Sequence, residues 1–314
     1  MKTYVLKIKK IILWVLFLCS LVYIVYELRS ISKIWKEIQA IPAQNILPAF
    51  CLVFILMLFN WLAEAKKWQY LARKIIPDYT FKLSLQTVLC GISLGLFTPN
   101  RVGEYGARLF YVENEHKADL LILAFIDRLA QLWVTILFGV TFLFVYITDF
   151  LPQYLYYTLA ICIVLLVFHT FVIVFRNKII QYWVSRRIFK KYFSSAIQLS
   201  AKDVLYVLGY AGLRYGIFVI QYLVWAYYTD NLYALKKGII CINTMLFVKS
   251  VIPSAGLSEL GIRESVLIYL HKSYGLSAIT AFHSALVIYS INLLIPAVVG
   301  LFYMPRMALW KNKK

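Results

Sequence analysis

The chain has 314 residues, of which 62% are hydrophobic and 15% charged, with a mean hydropathy of +0.75. A soluble domain holds about 45–50% apolar and about 25% charged residues, so the surplus apolar surface needs a lipid solvent and a soluble globular enzyme is excluded. The net charge of +19 falls in short basic clusters between long apolar runs, a distribution that fits loops of a membrane protein and argues against a nucleic-acid-binding face.

From the N-terminus, the first apolar run covers about 8–27, behind Lys2, Lys7, Lys9 and Lys10. It is rich in Trp, Phe and Tyr and no small-residue cleavage site follows, so it predicts a retained span and not a signal peptide. Segment 31–41 carries Ile31, Ile34, Trp35, Ile38 and Ile41 and predicts an amphipathic helix at the interface. Further spans are expected at about 46–64, 119–148, 153–175, 203–228 and 278–304, near the length of about 20 apolar residues that a crossing requires. Ser200 and Asp203 have the spacing of a helix start. Two other apolar stretches, about 82–98 and 238–252, run into polar sequence containing Gly and Pro.

Orientation follows the excess of Lys and Arg. The N-terminal lysines, the cluster Lys66, Lys67, Arg73 and Lys74, the cluster from Arg176 to Lys202, and the C-terminal Arg306, Lys311, Lys313 and Lys314 all belong on the cytoplasmic side. There they would attract anionic lipid, at about 1 kcal/mol per basic residue. Links 149–152 and 229–233 hold no Lys or Arg and belong outside. Counting crossings between these points leaves 82–118 and 238–275 without a net crossing. Each is therefore expected to enter the membrane and return, one from each side. Irregular backbone at that depth needs cover from protein or a watery cavity.

The two stretches carry related sequences. The first reads from Pro99 through Arg101, Gly103, Glu104 and Gly106 to Arg108; the second reads from Pro253 through Gly256, Glu259 and Gly261 to Arg263 and Glu264. Both contain E-x-G-x-R after a helix-breaking proline. Pro99, Gly103, Gly106, Pro253, Gly256 and Gly261 are the expected structural elements of this motif. Each half has two spans, a hairpin and a span, so the chain reads as one polytopic domain, 1–314, with halves of about 1–150 and 151–314. Three crossings per half invert the second half relative to the first, the signature of many secondary transporters. The expected fold is an all-α helical bundle in the membrane, with about six full spans and two re-entrant hairpins in an inverted repeat.

The spacing i,i+4 places Glu104 with Arg108, and Glu259 with Arg263, on one helical face. Unpaired in a bilayer, Glu104, Arg108, Asp127, Arg128, Glu259, Arg263 and Glu264 would cost on the order of 15–20 kcal/mol together. They must pair or face water. Asp127 and Arg128 are adjacent and do not face each other; Arg128 either reaches the first hairpin or snorkels to the surface. Arginine grips phosphate with a two-pronged fork, and helix starts after Pro99 and Pro253 would add free N–H groups facing an anion. Arg101, Arg108, Arg128 and Arg263, with Glu104, Glu259 and Glu264, are therefore the candidate binding residues for a lipid head group. The glutamates would balance charge, bind a cationic group or carry protons. The alternative is that the pairs only neutralise one another and fix the hairpins. Cys19, Cys51, Cys90, Cys162 and Cys241 form no paired motif, and His116, His169, His271 and His283 have no metal-ligand spacing. No nucleotide, zinc or nucleophile motif is present, so no cofactor or metal is expected.

These motifs resemble the lysylphosphatidylglycerol synthase transmembrane, flippase-like family. Pro99, Arg101, Gly103, Glu104 and Arg108 are similar to the family's P-x-R-x-G-E-x-x-x-R run. Arg128 with its acidic neighbour looks like its E-R element, and Gly261 to Glu264 like its late G-x-x-E element. Ser258-Glu259-Leu260 interrupts that late element, and Gln131 stands where an acidic residue is expected. The resemblance covers essentially the whole chain. It implies a multi-pass protein of the cytoplasmic membrane that translocates a phospholipid or lipid-linked substrate. The chain runs only ten residues past the last expected span, which leaves no room for a synthase domain. The competing readings are a membrane-embedded transferase on a lipid-linked substrate, with Glu104 or Glu259 as base, and an accessory lipid-binding protein that moves nothing.

Overall fold

A computed structural model of the chain describes residues 43–96, 98, 101–109, 112, 116–185, 199–230, 233–253 and 257–304. The expected first span at 8–27, the amphipathic segment 31–41, the basic residues 186–191 and 306–314, Pro99 and Gly256 lie outside the described residues.

The described residues are helical, with no strand among them. In chain order the helices are α1 (Ala43–Ala72), α2 (Phe81–Leu96), α3 (Gly103–Leu109), α4 (Lys117–Phe150), α5 (Leu155–Ser185), α6 (Ala201–Thr229), α7 (Leu235–Val251), α8 (Leu257–Ser273), α9 (Ala278–Tyr289) and α10 (Ile295–Leu301). A single π-helical turn, Ser290–Leu294, joins α9 to α10. Among the described residues, five stretches are long and apolar enough to cross a membrane: Asn45–Ala72, Lys117–Phe150, Pro152–Phe175, Ala201–Thr229 and Ala278–Leu301. The protein is an all-α, multi-pass membrane protein. α5 presents Ile161, Val164, Val167, Phe168 and Phe171 outward, as a lipid-facing helix does.

The two interrupted stretches become helical hairpins. α2 packs on α3, and α7 packs on α8. α2 has 16 residues and α7 and α8 have 17 each, so at 1.5 Å per residue none reaches the ~30 Å of a hydrocarbon core. α1 and α6 pack together, and the most buried of the five spans is Ala278–Leu301. The first helix of each hairpin also packs against a helix outside it: α2 against α10, and α7 against α4. Glycines allow both contacts. A Cβ on Gly300 would lie 2.2 Å from the carbonyl oxygen of Leu89, and one on Gly139 would lie 2.3 Å from the Cβ of Phe247.

Helix ends follow local chemistry. Ser200 and Asp203 form a complete capping box at the start of α6. Asp203 also accepts from the Tyr70 hydroxyl at 2.5 Å and pairs with Lys74 at 2.6 Å, tying α6 to the end of α1. Lys74 lies past the end of α1, and this hydrogen bond holds its ammonium above the ordinary lysine value. At the first hairpin tip, Gly103 approaches Leu94 so closely that a Cβ would meet its carbonyl oxygen at 2.3 Å. Gly106 and Gly261 have open space where a Cβ would go, so these two glycines of the motif are not packing sites. Pro253 is exposed just after α7 ends, where it cannot continue the helix.

Candidate functional site: a buried charge cluster

Eleven charged side chains converge inside the bundle as two ion-pair groups. In the first, Glu64 of α1 meets Lys67 at 2.8 Å, Arg108 at 2.6 Å and Arg214 at 2.6 Å. Asp127 of α4 meets Lys67 at 2.8 Å and Arg108 at 2.6 Å. Arg108 also lies 4.3 Å over the Trp68 ring, and Arg214 donates to Asn60 at 2.8 Å and to Gln131 at 3.2 Å. Each ion is paired and hydrogen-bonded, the condition under which buried charges are tolerated.

The second group joins the hairpin tips. Arg101 follows the end of α2 and Glu259 sits in the first turn of α8. Arg101 donates from Nε to Oε2 of Glu259 at 3.2 Å and from Nη2 to Oε1 at 3.1 Å. Glu259 also meets Arg263 at 2.6 Å and Lys249 at 2.8 Å. Arg101 reaches Glu104 at 3.5 Å, and Arg128 pairs with the other Glu104 oxygen. Arg101 has φ +58, a left-handed conformation that costs a non-glycine residue about 1–2 kcal/mol. Hydrogen bonds from Arg101 N to Thr98 O at 3.1 Å and from Gly103 N to Thr98 Oγ1 at 2.7 Å hold this turn.

Three cavities share Arg101 and Arg128 in their walls. An inner one of about 40 Å³ is bordered by Asn60, Trp61, Glu64, Glu104, Arg108 and Arg214. A more open one of about 270 Å³ lies toward Tyr105, Lys249, Ser250 and Glu259. A third of about 130 Å³ is bordered by Arg214, Lys249 and Arg263 as well. Across both groups, seven basic side chains face four carboxylates, a formal excess of three positive charges.

The structure thus corrects several sequence expectations. Arg108 does not pair with Glu104: its fork is taken by Glu64 and Asp127, and Glu104 turns to Arg101 and Arg128. Asp127 and Arg128, as adjacent helical residues, point to different partners, and Arg128 reaches the first hairpin. The start of α3 offers no free N–H at Gly103, because Thr98 caps it. Glu264 is partly buried but makes no ion pair among the described residues and borders none of the three cavities. Lys67 is 1% exposed and turned inward, unlike its neighbour Lys66 on the surface.

Sequence reasoning missed Glu64, Lys67, Arg214 and Lys249 as members of the cluster. A signal existed. Arg214 is the one charge between Asp203 and Asp230, and Glu64 interrupts a long apolar run. Ionisable residues within a span face the bundle interior by default. The histidines stand apart from the cluster. His283 accepts from Trp225 at 2.8 Å, and His271 lies between Tyr233 at 3.2 Å and Ser277 O at 3.1 Å. No group of metal-ligating side chains occurs among the described residues.

The sequence matches the family described as Lysylphosphatidylglycerol synthase TM region over residues 11–300. The chain belongs to this family. No curated protein and no solved structure matches it. The family match takes in both hairpins and every helix that contributes to the cluster.

Proposed function

We propose that this family member translocates a phospholipid or a lipid-linked substrate across the membrane, holding an anionic head group between its two hairpins. The observation that carries the reading is the position of Arg101 and Arg128. Both border every one of the three cavities between the hairpins, and both leave part of their side chain accessible. Lys249 and Arg263 supply further cations, and Glu104 and Glu259 hold the cations in place. A head group entering the open cavity competes with the glutamates for the arginine forks, while the acyl tails stay in lipid.

The packing supports an inverted repeat. α1 with α6, α2 on α10, and α7 on α4 are the contacts that two interlocked, oppositely oriented halves would make. Re-entrant hairpins then sit near the bilayer midplane, and movement of one half against the other would expose the site to each side in turn. The excess of basic residues in the loops supports an orientation with both termini on the cytoplasmic side of the cell membrane, against anionic lipid. On this reading the glutamates serve binding and not bond-breaking, and the protein is a transporter and not an enzyme.

The test is reconstitution of the purified chain in liposomes with a lipid assay specific for one leaflet. Wild-type protein should speed exchange between leaflets, and Arg101→Gly should abolish the gain. Equal rates for empty, wild-type and variant vesicles across a panel of anionic lipids would remove the proposal.

A further inference from the structure

We infer that the head group taken by this site ends in a phosphate bearing two or more negative charges, a phosphomonoester or a diphosphate, and not in a singly charged phosphodiester. The inference rests on the translocator reading and narrows its substrate class.

Two observations carry it. The cavity of about 130 Å³ is bordered by Arg101, Arg128, Arg214, Lys249 and Arg263 and by no carboxylate. The glutamates pair with these cations from outside that wall. A phosphodiester would neutralise one of the three excess positive charges. A phosphomonoester carries about −1.5 to −2 at neutral pH with three acceptor oxygens, and a diphosphate carries more. At low dielectric the uncompensated remainder decides between them, because repulsion among the cations is poorly screened there. The second observation is Arg263. It is buried, yet among the described residues only Nη2 is bonded, to Glu259, while Nε and Nη1 have no hydrogen-bond partner. The Tyr222 hydroxyl interacts with the guanidinium but lies outside good hydrogen-bond geometry. Buried arginine donors are seldom left open. An oxygen-rich terminal phosphate offers acceptors to Arg263 while its other oxygens face Arg128 and Lys249.

The experiment measures binding to the purified full chain in detergent. Its probes are dihexanoyl phosphatidic acid, dihexanoyl phosphatidylglycerol, farnesyl diphosphate and inorganic diphosphate. Phosphatidic acid and farnesyl diphosphate should each bind at least about tenfold more tightly than phosphatidylglycerol, the effect of one further charge-assisted hydrogen bond. Phosphatidic acid should weaken as the pH falls through about 6, where its second charge is lost, while phosphatidylglycerol should not follow. Lys249→Gln should narrow the preference. If phosphatidylglycerol binds as tightly as phosphatidic acid, the inference falls and the translocator reading stands. If no lipid binds, the translocator reading falls with it. If inorganic diphosphate binds as tightly as farnesyl diphosphate, the site takes a soluble anion and the lipid class is overturned.

Discussion

Arg101 and Glu259 join the two hairpins through a two-pronged ion pair, Nε to Oε2 at 3.2 Å and Nη2 to Oε1 at 3.1 Å, across 158 positions of sequence. Neither residue depends on the other for charge balance. Glu259 keeps Lys249 and Arg263, and Glu104 keeps Arg128, when Arg101 is removed. The left-handed backbone at Arg101 is held by the Thr98 turn, a local strain of the kind that clusters at functional sites.

Arg101→Gly is therefore expected to preserve the fold and remove the function. Glycine adopts φ +58 without a steric penalty, and no carboxylate is left without a partner. Thermal stability in detergent should fall by less than for the loss of a sole buried partner, since Glu259 and Glu104 each keep another cation. Lipid exchange in liposomes should fall to the level of empty vesicles. A large loss of folded protein would instead make Arg101 a structural brace.

Glu64→Gln should behave in the opposite way. It leaves Lys67 and Arg108 with Asp127 alone and strips Arg214 of its carboxylate partner. Breaking a buried pair by removing one partner costs about 3–5 kcal/mol. Arg108→Ala should also lower the yield of membrane-integrated protein, because it removes contacts to Glu64, Asp127 and the Trp68 ring. Fluorescence-detected size exclusion after heating would rank these variants against Arg101→Gly. Undiminished stability of both would dissociate the first ion-pair group from the fold.

Gly300→Ala and Gly139→Ala should loosen the contacts of α2 with α10 and of α7 with α4. Each added methyl would meet backbone or Cβ atoms at 2.2–2.3 Å, and overpacking of this kind costs about 1–3 kcal/mol. Gly106→Ala and Gly261→Ala meet nothing within 4 Å and should be neutral or slightly stabilising through helix propensity, by up to about 1 kcal/mol. Melting all four variants together is a direct comparison. Equal effects in both pairs would contradict the packing.

Ser200→Ala should cost about 1 kcal/mol, the usual worth of a helix cap. The hydroxyl accepts from Asp203 N at 3.2 Å, and the reciprocal bond from Ser200 N to Asp203 Oδ2 at 2.8 Å survives the change. Because Ser200 borders none of the three cavities, lipid exchange per folded molecule should be unchanged.

Much of the architecture was readable from residue order. Apolar length located every span among the described residues, and the interruptions at 82–118 and 238–275 marked the hairpins. Ser200 with Asp203 announced the start of α6. Glu259 and Arg263 do meet at i,i+4, as their spacing required. These features are local: a helix of given length, a cap, two side chains on one face.

Partner choice was not local. Spacing puts Arg108 on the same face as Glu104, yet two carboxylates from α1 and α4 reach Arg108 first. Lys67 reads as a loop charge beside Lys66, but the rotation of α1 in the bundle turns one lysine inward and the other outward. Arg214 joins the site only because α6 packs on α1. Sequence periodicity sets which face of a helix bears a charge. Which opposite charge that face meets depends on how helices distant in sequence are rotated and packed, and in a low-dielectric interior the nearest such charge takes the pair.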